Sequence, residues 1–133
     1  MSIETLRAAI ETAADNSKTW FIDNAKKSGR SKYFERGKMG DDGTGAVYAY
    51  FSTDGKALYV GESSRYIKRR MHDQKSPQKY AEWWKSWSTV RFIQVKNRTD
   101  RITLELLLIL SLQPMFNKKP GKRLFSKMFS DAD

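Results

Sequence analysis

The fold of this chain is decided by residues 46–61, which read AVYAYFSTDGKALYVG. The first six of these residues are rich in aromatic and β-branched side chains, as strands prefer, and residues 57–61 resume the pattern. Between the two runs lies Asp54-Gly55, a dipeptide that strongly signals a tight β-hairpin turn. The sequence therefore predicts two antiparallel strands that bring Tyr48 and Tyr59 close together on one sheet.

The composition is that of one globular domain. The chain has 133 residues, of which 39% are hydrophobic and 30% charged, which is enough for a single modest core. It contains no cysteine, which excludes disulfides, cysteine-ligated zinc and a cysteine nucleophile. The first residues lack the features of a signal peptide, and the longest apolar run, residues 106–110, is too short to cross a bilayer. We therefore expect a cytoplasmic protein without a membrane segment.

The net charge of +10 is distributed unevenly along the chain. Residues 1–61 carry nine basic and eight acidic side chains, whereas residues 62–101 carry eleven basic and four acidic ones. A run of charge is most often a solvated surface, but this one begins directly after the second tyrosine strand. We interpret it as a track for the phosphate backbone of a nucleic acid.

Helices and one further strand are predicted around the hairpin. Apolar spacing and cap signals predict helices over residues 3–14 and 17–25, an exposed connection over 28–45, a basic helix over 64–74, a strand over 89–95, and a helix over 100–112 that is capped near Asn97 and stopped by Pro114. Trp83, Trp84 and Trp87 crowd a short segment, and we interpret them as core residues in preference to a platform for stacked bases. The predicted architecture is α+β, a small three-stranded antiparallel sheet flanked by helices.

A single carboxylate interrupts the most apolar helix. Glu105 is surrounded by leucine and isoleucine at position 104 and at 106–110, so the helix is predicted to be buried. A buried carboxylate without a partner loses several kcal/mol of hydration. Glu105 must therefore face an ion partner, a metal ion or the edge of a cleft. Arg101, one turn earlier, is the simplest ion partner, and a metal ion is the alternative.

Five features occur in a characteristic order: two hairpin tyrosines, an arginine on the next helix, Glu105 and then Asn117. This order resembles the GIY-YIG endonuclease family over about residues 45–120. The chain departs from the family motif at Ala46, where a glycine is usual, and has valine in place of both isoleucines. The resemblance implies a GIY-YIG nuclease domain over 45–120, preceded by a helical extension over 1–44 and followed by a basic tail over 121–133.

The resemblance implies a metal-dependent endonuclease that acts on double-stranded DNA. Glu105 is implied to hold a single Mg²⁺ or Mn²⁺, and Mg²⁺ suits a site with one carboxylate because it keeps several waters. Tyr48 is implied to activate or orient the attacking water, and Tyr59 to position that water or the phosphate. The arginine that clamps the phosphate is Arg69 by spacing, or Arg70 if one residue is inserted.

Several further residues have two interpretations each. His72, one turn after Arg69, is a candidate site residue or an ordinary surface histidine, and Asn117 buttresses the site or is a turn asparagine. Glu62 is unusual after the second motif, and it either repels DNA phosphate or holds Arg69 or Arg70 in place. The predicted contacts to the DNA backbone are Arg65, Lys68, Lys75, Lys118 and Lys119.

The biological role has more than one candidate. The chain shows no separate DNA-binding domain, which favours a small restriction-type, phage or mobile-element nuclease over a repair subunit. Ala46 and Glu62 motivate an alternative, a catalytically inactive nucleic-acid-binding module on the same fold. RNA stays open as a substrate because lysine and arginine contacts to phosphate do not distinguish the sugar. A double-strand cut requires a dimer or sequential nicking, and the N-terminal helices, with residues 20–22, are the candidate interface of a homo-oligomer.

Overall fold

The computed structural model describes residues 1–33, 45–64 and 81–117, which form an antiparallel sheet with helices packed on it. Its elements are helix α1 (Ile3–Asn24), strand β1 (Lys26–Gly29), the single-turn helix α2 (Arg30–Tyr33), strands β2 (Ala46–Phe51) and β3 (Ala57–Ser63), a 3₁₀ turn (Glu82–Lys85), strand β4 (Thr89–Gln94) and helix α3 (Arg98–Leu112). The predicted α+β architecture is confirmed. None of the helices in the described ranges is long and apolar enough to cross a membrane.

The described sheet has four strands in the order β1-β4-β2-β3, one more than the predicted three. The predicted hairpin is confirmed as β2 and β3, and the predicted third strand is β4, which pairs with the other side of β2. The fourth strand, β1, pairs antiparallel with the outer side of β4. Ser28 and Gly29 in β1 were predicted to lie in an exposed connection. β1 is held mainly by backbone pairing, so its sequence lacks the alternation of apolar residues that would predict a strand.

Helix α1 is one continuous helix of 22 residues, so the predicted break at residues 15–17 is wrong. Asp, Asn and Ser each cost only a few tenths of a kcal/mol in a helix, which packing readily offsets. Here Ala14 and Phe21, on either side of the break, are both buried. Phe21 is therefore a core residue and not part of an exposed interface, whereas Trp20 beside it is 46% exposed.

Both faces of the sheet are covered, because alternate residues of the central strand β2 point to opposite sides. One face carries an aromatic cluster that contains Tyr48, Tyr50, Trp83, Trp87, Val90 and Phe92. The other face packs against α1 and α3 through Val47, Ala49, Val60, Phe21, Ile102, Leu108 and Ile109. Trp83 and Trp87 are thus core residues, as predicted, and the partly buried Trp84 packs against the same cluster.

Arg30 ties the N-terminal residues to the aromatic cluster. Its Nη1 donates hydrogen bonds to the carbonyl oxygens of Trp84 (2.6 Å) and Trp87 (3.1 Å). Its guanidinium carbon also lies 5.3 Å and 4.7 Å from the centres of those two indole rings. Burial lowers the pKa of Arg30, and the nearby Tyr50 partly offsets this effect. The N-terminal residues up to Arg30 are therefore packed against the same core as the hairpin.

Helix α3 begins and ends as its sequence predicts. The side chain of Asn97 caps it by accepting a hydrogen bond from Asp100 N, and Gln113 ends it in a left-handed conformation just before Pro114. The helix is not buried all round, however, since Leu110 is 44% exposed. The buried face consists of Arg101, Ile102, Glu105, Leu108 and Ile109. Two charged residues therefore lie on the inner face, and some of the leucines lie outside.

Candidate active site

Tyr48 lies across Gly61, its partner on the neighbouring strand of the hairpin. A Cβ atom added to Gly61 would lie 2.6 Å from Tyr48 Oη and 2.7 Å from Cζ. A larger residue at position 61 would therefore collide with the ring of Tyr48, which is fully buried. The glycine of Tyr59-Val60-Gly61 is explained by this close approach, which lets the Tyr48 hydroxyl extend over β3.

Tyr59 is brought next to Tyr48, as the sequence predicts. The two ring centres are 6.4 Å apart, and Tyr59 is paired across the hairpin with Tyr50. The ring of Tyr59 also stacks on Trp83 at 4.9 Å with an angle of 11° between the planes. Tyr59 is partly exposed, and Tyr48 is not. Of the two phenols, Tyr59 is thus the more accessible to a bound substrate.

Asn117 is hydrogen-bonded to the backbone of β3 between Tyr59 and Gly61. Its Oδ1 accepts from Val60 N and its Nδ2 donates to Val60 O, both at 2.8 Å. The two preceding residues continue this pairing, with Met115 N donating to Ala57 O and Phe116 N to Leu58 O. The side-chain amide therefore takes the place of a strand residue. These contacts are those of a buttress, and a part for Asn117 in catalysis stays a prediction.

Glu105 is fully buried on α3, beside the strand that carries Tyr59. The helix runs antiparallel to β3, because Arg101 near its start bonds to Glu62 and Met115 after its end bonds to Ala57. One helical turn rises about 5.4 Å and a strand about 3.3 Å per residue, so Glu105 lies roughly two strand residues from Glu62. By this estimate Glu105 lies near the middle of β3.

Arg101 forms a buried ion pair with Glu62, which the sequence had not predicted. Its Nε donates to Glu62 Oε2 at 2.9 Å, and the two side chains are only 5% and 15% exposed. Its Nη1 donates to the carbonyl oxygens of Val95 (3.2 Å) and Lys96 (3.1 Å). The structure thus directs Arg101 to Glu62, so its pairing with Glu105, one of the two predicted alternatives, is wrong. The helical spacing of Arg101 with Leu108 and other inner residues was the signal that it is buried.

The metal predicted for this site is a divalent ion held by one protein carboxylate. Within residues 1–33, 45–64 and 81–117, no group of three His, Cys, Asp or Glu side chains could hold a metal ion. Zinc usually takes three or four protein ligands, whereas Mg²⁺ commonly takes one or two carboxylates and completes its shell with water and phosphate. Glu105 is fully buried beside β3, and its part as the ligand of such an ion stays a prediction.

The remaining predicted site residues lie outside the described residues. These are Arg69, Arg70, His72 and the predicted DNA contacts Arg65, Lys68, Lys75, Lys118 and Lys119. The choice between Arg69 and Arg70 therefore rests on the spacing of the sequence alone.

Residues 44–118, more than half of the chain, match the family model described as a UvrC-like GIY-YIG domain. The chain therefore belongs to the GIY-YIG family, as the sequence predicts. It is similar to the UvrABC system protein C of Flavobacterium psychrophilum, with 36% identity over 109 residues, and to that of Flavobacterium johnsoniae, with 36% identity over 77 residues. The matches cover 65% and 53% of this chain but only 18% and 12% of the relatives. No solved structure matches the chain significantly.

Proposed function

We propose that this protein is a metal-dependent DNA endonuclease that hydrolyses phosphodiester bonds. Membership of the GIY-YIG family supports a nuclease in general. The observation that carries the proposal is the fully buried carboxylate of Glu105 beside β3, the strand that bears Tyr59 and Gly61. A buried carboxylate needs a charged partner to stay ionised. A divalent ion that binds together with the substrate is a partner that suits phosphate chemistry.

The two tyrosines suit the handling of the attacking water. Tyr48 extends its hydroxyl over Gly61 of β3, and α3 packs on the opposite face of the sheet. An ordinary phenol has a pKa of about 10, so cationic neighbours are needed for Tyr48 to take a proton from water. Tyr59, the more exposed phenol, positions the water or the phosphate.

Nucleases of the GIY-YIG family generally depend on a divalent metal ion, and we propose Mg²⁺ or Mn²⁺ on Glu105. Such an ion supplies neutralisation of charge on the phosphate and stabilisation of the leaving oxygen. Arg69 or Arg70 clamps the same phosphate, since the planar guanidinium matches two phosphate oxygens. His72 and Asn117 are further residues of the proposed site. The proposed contacts to the DNA backbone are Arg65, Lys68, Lys75, Lys118 and Lys119.

The departures from the family motif do not argue for an inactive protein. Ala46 is fully buried in the aromatic cluster, so its methyl group is accommodated by the packing. Glu62 accepts a hydrogen bond from Arg101, so much of its negative charge is balanced within the protein. Both residues motivated the alternative of an inactive nucleic-acid-binding module. Neither contact counts against an active enzyme, and the inactive module is the outcome if binding occurs without cleavage.

The test is cleavage of supercoiled plasmid by the purified chain with Mg²⁺, with EDTA as the metal-free arm. Glu105→Gln keeps the volume of the side chain and removes its charge, so we expect loss of nicking with DNA binding retained. Glu11→Gln, the same change at an exposed position of α1, is the matched control and should cleave like the parent. If the protein binds DNA but cleaves neither duplex DNA nor duplex RNA with any of several divalent metals, the inactive module would be established instead.

A further inference from the structure

We propose that Glu62 is a positioning residue that keeps the Arg101 cation away from the Glu105 carboxylate and thereby sets the affinity of the site for its divalent ion. This inference rests on the proposed function, because it takes Glu105 as the residue that holds the ion. It gives a role to a buried ion pair that the proposed chemistry does not use. It also explains why an acidic residue directly follows Gly61.

Arg101 and Glu105 are separated by one helical turn on the same buried face of α3. Side chains four residues apart on a helix are neighbours, and an arginine and a glutamate at that spacing attract each other. Such a pair would occupy the carboxylate oxygens with guanidinium hydrogens. In the structure, the Nε of Arg101 is instead 2.9 Å from Glu62 Oε2.

The place occupied by Arg101 is built from three other segments. Two carbonyl oxygens just after β4 accept hydrogen bonds from Nη1, at 3.2 Å and 3.1 Å. Gly45, just before β2, has a φ of +109°, and a Cβ added there would lie 2.6 Å from the same nitrogen. The guanidinium therefore needs a glycine at position 45 as well as a carboxylate at position 62. The starts of β2 and α3 and the ends of β3 and β4 all converge on this group.

The charge of Glu62 matters because Arg101 is nearly buried. With Glu62 ionised, the pair has no net charge, and its effect on an ion at Glu105 is small. With Glu62 neutral, the uncompensated guanidinium one turn from Glu105 repels a divalent cation and attracts the carboxylate. Even at the dielectric constant of water, which gives the smallest effect, a charge at this separation changes the dissociation constant of a divalent ion by about three- to tenfold.

The experiment is a titration of the full chain with Mn²⁺ by isothermal calorimetry, with Mn²⁺-dependent thermal shift as a second readout. We compare the parent, Glu62→Gln, Glu62→Asp, Arg101→Gln and the double variant Glu62→Gln/Arg101→Gln. Gln keeps the shape of Glu62 and an acceptor for Arg101 Nε but removes the charge. We expect Glu62→Gln to raise the dissociation constant by at least about threefold. Glu62→Asp should stay within about twofold of the parent, since it retains the charge.

The double variant separates positioning from mere packing. Removing both charges should return the Mn²⁺ dissociation constant to within about twofold of the parent, even though the fold is less stable. A packing role predicts that the thermal midpoint falls while the Mn²⁺ affinity of the folded protein stays the same in every variant. If the Arg101 variants do not fold, the comparison of Glu62→Gln with Glu62→Asp decides alone.

The failure of this inference can be distinguished from the failure of the proposed function. If the parent binds Mn²⁺ and Glu105→Gln abolishes the binding, the metal site stands. Equal affinities for the parent and Glu62→Gln would then overturn the positioning role only. If the parent does not bind Mn²⁺, or binds it equally well after Glu105→Gln, both the metal site and the role of Glu62 are overturned.

Discussion

Replacing Gly61 by alanine is the sharpest test of how the hairpin holds Tyr48. The added Cβ would lie 2.6 Å, 2.7 Å and 2.9 Å from three atoms of the Tyr48 side chain, the hydroxyl oxygen and two ring carbons, whereas ordinary contact begins at 3.4 Å. The difference between 3.4 Å and 2.6 Å requires a shift of 0.8 Å by the ring or the strand. Tyr48 is fully buried and packs edge-on against Tyr50 with ring centres 5.6 Å apart, so the ring has little room to move.

The magnitude follows from that displacement. Overpacking in a buried site typically costs about 1–3 kcal/mol. For a chain of this size we expect the melting temperature to fall by roughly 4 °C for each kcal/mol. If Tyr48 handles the attacking water, a displacement of nearly 1 Å also lowers the single-turnover cleavage rate by about 100-fold. The cleavage rate should therefore fall by more than the fraction of unfolded protein at the assay temperature explains.

Gly29→Ala is the matched control, since a Cβ at Gly29 meets nothing within 4 Å. It makes the same chemical change in a strand of the same sheet and should leave both the melting temperature and the cleavage rate near those of the parent. The double variant Tyr48→Phe/Gly61→Ala should regain part of the stability, because the closest clashing atom, Oη, is gone while Cζ remains. Equal effects of Gly61→Ala and Gly29→Ala on stability and rate would refute the reasoning.

Two further predictions concern the phosphate clamp and the buttress of β3. If Arg69 clamps the phosphate, Arg69→Ala should lower the single-turnover rate by orders of magnitude, since loss of one preorganised cation costs about 3 kcal/mol or more in the transition state. Arg70→Ala should mainly weaken DNA binding and reduce the salt slope by about one, and the reverse result would assign the clamp to Arg70. Asn117→Ala removes two 2.8 Å hydrogen bonds from Val60 and should lower the free energy of unfolding by about 1–3 kcal/mol in urea titrations. A control with no such bonds, Gln113→Ala, should change it by less, and equal losses would contradict the buttress.

The comparisons leave the biological role as a prediction. Both relatives are named UvrABC system protein C, and this chain spans less than one fifth of either. The matched part contains the hairpin, Glu105 and Asn117, so the likeness covers the described part of the candidate site. A role in restriction, in a phage or in a mobile element therefore stays a prediction. The homo-oligomer also stays a prediction, and Phe21 is removed from its candidate interface because it is buried.

The sequence by itself determined the features that depend on short-range signals. The hairpin turn at Asp54-Gly55, the cap at Asn97 and the stop before Pro114 all involve residues a few positions apart. Local backbone preferences and local hydrogen bonds are sufficient to specify such features. The order of the tyrosines, Glu105 and Asn117 along the chain could also be recognised from the sequence, because it identifies the family without any knowledge of contacts.

Only the tertiary structure decided which distant residues meet. Glu62 and Arg101 are 39 positions apart, and Val60 and Asn117 are 57 apart, so nothing local connects them. The local spacing favoured Arg101 with Glu105, but the order of the strands brings the end of β3 and the residues after β4 to Arg101 instead. Strand β1 likewise exists because the edge of β4 is available to pair with it. The physical reason is that a buried charge or an unpaired strand edge is satisfied by whatever the packed fold places beside it, and sequence spacing does not reveal that neighbour.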